Sequence, residues 1–160
     1  MRQSATTSVG LSLALGLTLM LGTDLVNSKS YAAPEAKKSS AIAESISRHI
    51  AQLKSGSAQE KAAAAYWLGR QRAAAATAVD PLVELLGDAS EINPNQYRGN
   101  KILQKLTLGE EAAAALVNIG HPSIEPLIRV LRTSPLAEAR KNAAWALGAL
   151  HDSGATSNEI

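Results

Sequence analysis

The string AAAALVNIGHPSIEPLIRVL occupies residues 112–131 and contains a pattern that recurs along the chain. An Ala-Ala-x-x-Leu block is followed, after a short gap, by an apolar residue, an acid and Pro-Leu. The same two-part pattern lies within residues 64–86, and its first part returns at residues 143–147. A block that recurs in this way predicts a repeat architecture, in which each unit buries its apolar face against its neighbours.

Each complete block predicts a pair of antiparallel helices. The first helix carries a stripe of two Ala and one Leu, and the second carries apolar residues at i, i+3, i+4 and i+7, which form one face. The first-helix stripes are Ala64, Ala65 and Leu68; Ala112, Ala113 and Leu116; and Ala143, Ala144 and Leu147. The second-helix faces are Val79, Leu82, Val83 and Leu86, and Ile124, Leu127, Ile128 and Leu131. The pattern therefore predicts an all-α fold, a short α-solenoid of helix pairs.

Three sites have the residues that start a helix. Ser57 with Glu60 and Thr107 with Glu110 have the capping-box spacing, in which each side chain binds the free backbone N–H of the other. Ser134, which is followed by proline, predicts a third start with Ser as the cap and Pro at the first helical position.

Residues 40–54 predict a lone helix ahead of the first pair, because Ile42, Ile46, Ile50 and Leu53 share one face. The order is then half unit, full unit, full unit, half unit. We place the repeat domain at residues 40–152 and a flexible tail at residues 153–160. A short additional helix is expected around residues 101–105.

The N-terminal segment has the pattern of a secretory signal peptide. Residues 8–21 are uncharged and mostly apolar, and small residues at positions −3 and −1 predict cleavage after Ala32. Residues 1–32 would then be the signal peptide and residues 33–39 a solvated linker. The apolar run is shorter than the about 20 residues of a membrane-spanning helix. We expect an exported protein, periplasmic or extracellular, with no stable membrane span after cleavage; an uncleaved signal anchor is the alternative.

Composition excludes several kinds of chemistry. Of 160 residues 46% are hydrophobic but only 3% aromatic, with no Phe, so Ala and Leu must supply the core. The absence of Cys excludes disulfides, thiolate metal sites and a Cys nucleophile. A net charge of +2 gives no electrostatic reason to expect a nucleic-acid partner.

The sequence contains no pattern typical of a catalytic, cofactor-binding or metal site. His49, His121 and His151 lack metal-ligand spacing, and there is no phosphate loop, nucleophile elbow or triad. Glu110 and Glu111 are interpreted as residues that complement a helix dipole, since acid–base catalysis would need a concave pocket. We therefore expect no catalytic activity and no cofactor.

Residues 110–127 resemble a HEAT repeat of the phycobilisome-lyase-like type. Residues 140–148 are similar to the start of the next such repeat, and residues 78–82 to a second-helix portion. The resemblance covers roughly residues 57–152. It implies a protein-binding scaffold, or, as in a few relatives, attachment or removal of bilins on phycobiliproteins. The chain departs from the pattern in a longer first turn, in Val117 where a helix-ending Gly is usual, and in a last unit of one helix.

Five polar or aromatic residues are candidates for binding a partner. Tyr66 and Trp145 occupy a column of the first helices that usually faces solvent, and exposed aromatic residues often anchor interfaces. Alternatively, Trp145 folds over the end of the stack. Glu84, Arg129 and Arg132 lie on the outward column of the second helices, where a solenoid presents its concave binding surface, or simply a solvated one.

The last helix is expected to leave apolar surface open, because no partner helix follows it. Trp145, Leu147 and Leu150 would form this surface, which a second copy of the chain or another protein would cover. The leading hypothesis is an exported scaffold or adaptor without catalytic activity of its own. The alternatives are a bilin lyase or lyase accessory, and a fragment of a longer repeat protein.

Overall fold

A computed structural model describes residues 24–99 and 105–154. These residues form helices α1 to α6 and two short strands: α1 Asp24–Ser55, α2 Ala58–Arg70, α3 Val79–Val83, β1 Glu91–Ile92, β2 Leu106–Thr107, α4 Leu108–Ile119, α5 Ile124–Thr133 and α6 Ala137–Asp152. Short 3-10 segments cover Arg72–Ala78, Pro94–Gln96 and His121–Ser123. The predicted all-α repeat fold is confirmed. The helix expected around residues 101–105 lies, except for Lys105, outside the described residues.

Helix α1 is longer than predicted. It begins at Asp24, so residues 33–39 are helical where the sequence indicated a linker. The chain divides into two compact units, Met1–Ala41 and Ile42–Ile160, and the repeats belong to the second. The apolar run at residues 8–21 lies outside the described residues. Within the part that the structure does describe, no helix is both long and apolar enough to span a membrane.

Two of the three predicted helix caps form. The hydroxyl oxygens of Ser57 and Thr107 each accept the backbone N–H three residues later, at 3.3 Å. The carboxylates of Glu60 and Glu110 accept the N–H of the cap residues at 2.8 and 2.9 Å. Both capping boxes are therefore confirmed, and they begin α2 and α4.

The predicted cap at Ser134 is wrong. Helix α6 begins at Ala137, and Ser134 instead ends α5 with an extended backbone. The guanidinium of Arg140 donates to the carbonyl oxygens of Ser134 and Pro135 at 2.8 and 3.0 Å. These bonds hold the turn outside the helix, so the helix starts two residues later than the Ser-Pro signal indicates.

The buried stripes of α2 and α4 match the prediction, but that of α6 does not. The Ala and Leu residues predicted for α2 and α4 are fully buried. In α6 Ala144 is exposed and Leu147 is half-buried, whereas Leu150, predicted to be part of an open surface, is 0% exposed. The reason is that α6 packs on α4 and α5 with only one side. Its buried residues are Ala139, Asn142, Ala143, Ala146 and Leu150.

The second helices are less regular than the first. Helix α3 ends at Val83, yet Leu86 remains buried because 3-10 turns continue the chain, with its N–H bonded to the carbonyl of Val83 at 3.2 Å. In α5, Leu127 is buried but Leu131 is 39% exposed. Ile42, at the start of the α1 stripe, is also exposed. Among the described residues no later second-type helix covers the free side of α5.

The long loop between α3 and α4 is folded onto the first helices. Strand β1 pairs antiparallel with β2. The side-chain amide of Gln59 in α2 donates to the carbonyl oxygen of Asn93 at 2.8 Å and accepts its backbone N–H at 2.9 Å. At the end of the loop, a Cβ on Gly109 would lie 2.6 Å from the carbonyl oxygen of Leu86 and 2.8 Å from Nδ2 of Asn142. Only glycine fits there, whereas the matching positions of α2 and α6 are Lys61 and Arg140.

Candidate functional site

A groove of about 430 Å³ lies between α4 and α6. Its lining combines apolar, basic, acidic and amide side chains: Arg98, Leu106, Glu110, Ala114, Lys141, Asn142 and Trp145. We call this space the α4–α6 groove. Trp145 is 55% exposed and forms part of its wall, so this side chain does not fold over the end of the stack.

The charged groups of the α4–α6 groove are held by different partners. The ammonium of Lys141 binds the carboxylate of Glu138, and this hydrogen bond raises the pKa of Lys141. Both side chains of this pair are more than half exposed. The carboxylate of Glu110 accepts the backbone N–H of Thr107 at 2.9 Å. Each of these charged side chains therefore already has a hydrogen-bonding partner.

A buried carboxylate lies behind the groove. Glu111 is 1% exposed, and its Oε2 accepts hydrogen bonds from the hydroxyl of Tyr97 at 2.9 Å and from Nη2 of Arg98 at 2.5 Å. Burial, followed by the charge of Glu111, raises the pKa of the Tyr97 hydroxyl. The pKa of Arg98 is also raised: burial lowers it, but the hydrogen bond and charge of Glu111 outweigh that effect. The three side chains fasten the α3–α4 loop to α4.

Tyr66 belongs to the same cluster and is not the exposed anchor that its column predicted. Its ring is half-buried and lies 5.6 Å from the ring of Tyr97, between centroids. The guanidinium carbons of Arg98 and Arg70 lie 5.1 and 6.0 Å from the Tyr66 centroid, close enough for cation–π attraction. Arg98 thus connects Tyr66 with the groove that Trp145 lines.

The other sequence candidates lie elsewhere. Glu84, Arg129 and Arg132 are exposed near the ends of α3 and α5, and none of them lines the α4–α6 groove. Leu150 is part of the core. Of the six candidates, Trp145 lines the α4–α6 groove, and Tyr66 contacts Arg98, another residue of its lining.

Sequence reasoning missed the cluster of Tyr97, Arg98 and Glu111. One signal was available, because Glu111 precedes Ala115 by four residues and Ile119 by eight, which places it on the buried face of α4. A carboxylate on such a face requires a positive or hydrogen-bonding partner. Glu111 also lies in the first turn of α4, where an acid complements the helix dipole, and this role alone accounts for an acid at that position.

The three histidines lie in different surroundings and do not form one site. The ring of His49 stacks on Trp67, with centroids 4.0 Å apart and planes 5° apart, and its Nδ1 lies 2.7 Å from the carbonyl oxygen of Ser45. His121 is exposed in the turn before α5, and His151 lies 3.5 Å from the carboxylate of Asp152. Across residues 24–99 and 105–154, no group of three His, Cys, Asp or Glu is arranged to hold a metal ion.

A second surface lies on the free side of α6. Ala144 and Gly148 are exposed and Leu147 is half-buried, and we call these three residues the end face. The residues of α2 at the same repeat positions, 79 residues earlier, are Ala65, Leu68 and Gly69, and all three are buried. In α2 this side packs against α4, whereas no described helix occupies the same place on α6.

Comparison with known proteins supports the repeat. Residues 110–133 match the family model described as "PBS lyase HEAT-like repeat". They span most of α4, the following turn and α5, which together make one helix pair. This helix pair is therefore similar to a HEAT-like repeat, and it lies within an all-α repeat fold. Neither the curated proteins nor the solved structures that were searched contain a match.

Proposed function

We propose that this protein is a helical-repeat scaffold or adaptor that binds another protein through the end face of α6. The observation that carries the proposal is the exposure of Ala144 and Gly148, whose counterparts Ala65 and Gly69 are buried beneath the next helix. We expect it to have no catalytic activity of its own.

The end face has the properties of a helix-docking surface. Its residues are small or apolar, so a partner helix could approach the α6 backbone closely. In α2 the same arrangement already accepts α4, with the backbones nearly in contact at Gly69. The partner would be another protein or a second copy of this chain. Because repeat units bury their faces only against neighbours, covering this side would extend the stack by one layer.

The test compares two Ala-to-Arg variants. Ala144→Arg places a charge in the end face, and Ala51→Arg places one at an exposed position of α1. The purified chain would be immobilised in each form to capture proteins from a cell extract, and each captured protein would then be purified and titrated against the chain. Light scattering at micromolar concentrations would measure self-association.

We expect one stoichiometric complex, or a dimer, that the wild type and Ala51→Arg form and that Ala144→Arg weakens at least tenfold. A monomer that captures nothing would overturn the proposal. A complex of unchanged affinity with Ala144→Arg would remove the end face from it.

We also propose that the protein is exported. The support is the pattern of residues 1–32, with an apolar run and small residues before the expected cleavage position. N-terminal sequencing of the protein isolated from its native cells is the test. A mature chain that starts at Ala33 is expected, and one that starts at Met1 would contradict cleavage.

A bilin lyase, or an accessory to one, is the second candidate, and the description of the repeat that matches residues 110–133 favours it. Incubation of the chain with a bilin and an apo-phycobiliprotein tests this function. A covalent adduct that forms faster than without the chain would support it and would replace the scaffold proposal. An unchanged rate would leave the scaffold as the remaining function.

A further inference from the structure

The α4–α6 groove has a filled counterpart one repeat earlier. Between α2 and α4, the segment Pro94–Arg98 of the chain itself lies over the helices. Its Tyr97 ring packs beside Tyr66, and its Arg98 guanidinium binds the buried carboxylate of Glu111. The first groove therefore shows what kind of segment this fold accepts between neighbouring first helices: a short 3-10 turn that ends with a ring followed by a charged residue.

The α4–α6 groove, the second of the two, offers more space at the position where the first groove holds an aromatic ring. Tyr66 corresponds to Ala114, 48 residues later, and Ala114 lines the α4–α6 groove. The missing ring leaves room that the indole of Trp145 borders from the other side. An aromatic side chain of an incoming segment would fit between Ala114 and Trp145, where offset or edge-to-face packing of rings is favourable.

On the α6 side of the second groove, the charge differs from that on the matching side of the first. Glu110 and Glu111 of α4 correspond to Lys141 and Asn142 of α6, 31 residues later. Asn142 is buried and uses its Nδ2 to bind the carbonyl oxygen of Leu86 at 2.8 Å. Where the first groove offers carboxylates to an arginine, the second therefore offers a lysine and a neutral amide.

Arg98 adds positive charge to the second groove. One of its terminal nitrogens binds Glu111, while its Nε is buried and has no hydrogen-bond partner among the described residues. Lys141 can exchange its partner at little cost, because exposed ion pairs such as that with Glu138 contribute only about 0–1 kcal/mol. The acid among the lining residues, Glu110, accepts the backbone N–H of Thr107, and its negative charge also helps to raise the pKa of Lys141.

We propose that the α4–α6 groove binds a short turn-forming segment of a partner protein in which an aromatic residue is followed by Asp or Glu. The ring lies over Ala114 against Trp145, and the carboxylate binds Lys141 and Arg98. This inference rests on the proposed function as a protein-binding module. It uses a surface separate from the end face, since neither Ala144 nor Gly148 lines the groove.

The probe is a blocked hexapeptide, acetyl-PNQYEG-amide, which copies residues 94–99 with Glu in place of Arg98. Two control peptides are PNQYRG, which keeps the arginine, and PNQAEG, which lacks the ring. Binding is followed in the Trp67→Phe variant, where Trp145 is the remaining tryptophan, and by amide NMR shifts of the wild-type chain in case that variant is unstable.

Saturable binding of PNQYEG is expected, at least tenfold tighter than that of either control peptide. Lys141→Glu and Ala114→Leu should each weaken it at least tenfold, while Lys54→Glu, at an exposed position of α1, should not. Absence of saturable binding at millimolar peptide, equal binding of all three peptides, or an unaffected Lys141→Glu variant would overturn the inference. None of these outcomes affects the end face, which is tested separately with Ala144→Arg.

Discussion

Gly69 of α2 packs directly against the backbone of Ala115 in α4. A Cβ atom on Gly69 would lie 2.9 Å from the Cα of Ala115, closer than two carbon atoms can approach without movement. The same repeat position is occupied by Val117 in α4 and Gly148 in α6. A Cβ on Gly148 would have nothing within 4 Å. Gly69 thus lies where the next unit covers its helix closely, whereas Gly148 lies on a side of α6 that no described residue covers.

The two glycines should respond in opposite directions to substitution by alanine. Gly69→Ala should lower the free energy of unfolding by about 1–3 kcal/mol, because the methyl group forces α2 and α4 apart and this outweighs the gain in helix propensity. Gly148→Ala should raise it by about 0.5–1 kcal/mol, because only the propensity changes. Urea unfolding followed by circular dichroism measures both. Equal effects would contradict the tight α2–α4 contact.

The features that were predicted correctly depend on residues close together in the sequence. The stripes of α2 and α4 follow from helical period, and the caps at Ser57 and Thr107 from a side chain and a backbone three residues away. The errors about burial in α6 concern residues whose surroundings are set by distant elements. Leu150 and Ala144 share one apolar pattern, but only the packing of α6 on α4 and α5 decides which of them is buried.

The candidate site was largely beyond prediction for the same reason. Arg98 and Glu111 are separated by 13 residues, and they meet because the α3–α4 loop folds back through β1, β2 and the Gln59–Asn93 bonds. Trp145 could be identified from the column that it shares with Tyr66. That Tyr66 is covered, while Trp145 is exposed, depends on where the loop lies.

The caps provide a second prediction. Ser57→Ala should destabilise the protein by about 1 kcal/mol, because the N–H of Glu60 loses its acceptor at the start of α2. Ser134→Ala should cost less than about 0.5 kcal/mol, since Ser134 does not cap α6. Thermal or urea unfolding of the two variants gives the comparison. An equal loss in both would indicate that α6 begins at Ser134 after all.

The buried pair of Glu111 and Arg98 leads to a third prediction. Glu111→Leu should destabilise the protein by about 3 kcal/mol, because it leaves the guanidinium of Arg98 without its carboxylate. The double variant Arg98→Met with Glu111→Leu should recover most of that loss, since an apolar pair of similar volume often replaces a buried ion pair at little cost. Urea unfolding of both variants and of Arg98→Met completes the cycle. Additive losses would show that the pair does not act as a unit.

The last prediction concerns alkaline pH. Burial and the charge of Glu111 raise the pKa of Tyr97 above its ordinary value of 10.0. The folded protein therefore keeps this proton at a pH where the unfolded chain has lost it. The stabilisation is complete below pH about 10 and is lost as the pH rises from there toward the folded pKa, because the unfolded state then binds fewer protons than the native state.

The measurement compares the wild type with Tyr97→Phe, which cannot ionise at this position. We expect the free energy of unfolding of the wild type to fall more steeply than that of the variant between pH 9 and pH 11. Absorbance of tyrosinate should, over the same range, show that Tyr97 ionises later than an unperturbed tyrosine. Since lysines also titrate there, the difference between the two proteins carries the result. A difference that does not change with pH would mean that the Tyr97 hydroxyl is not held by Glu111 in the folded protein.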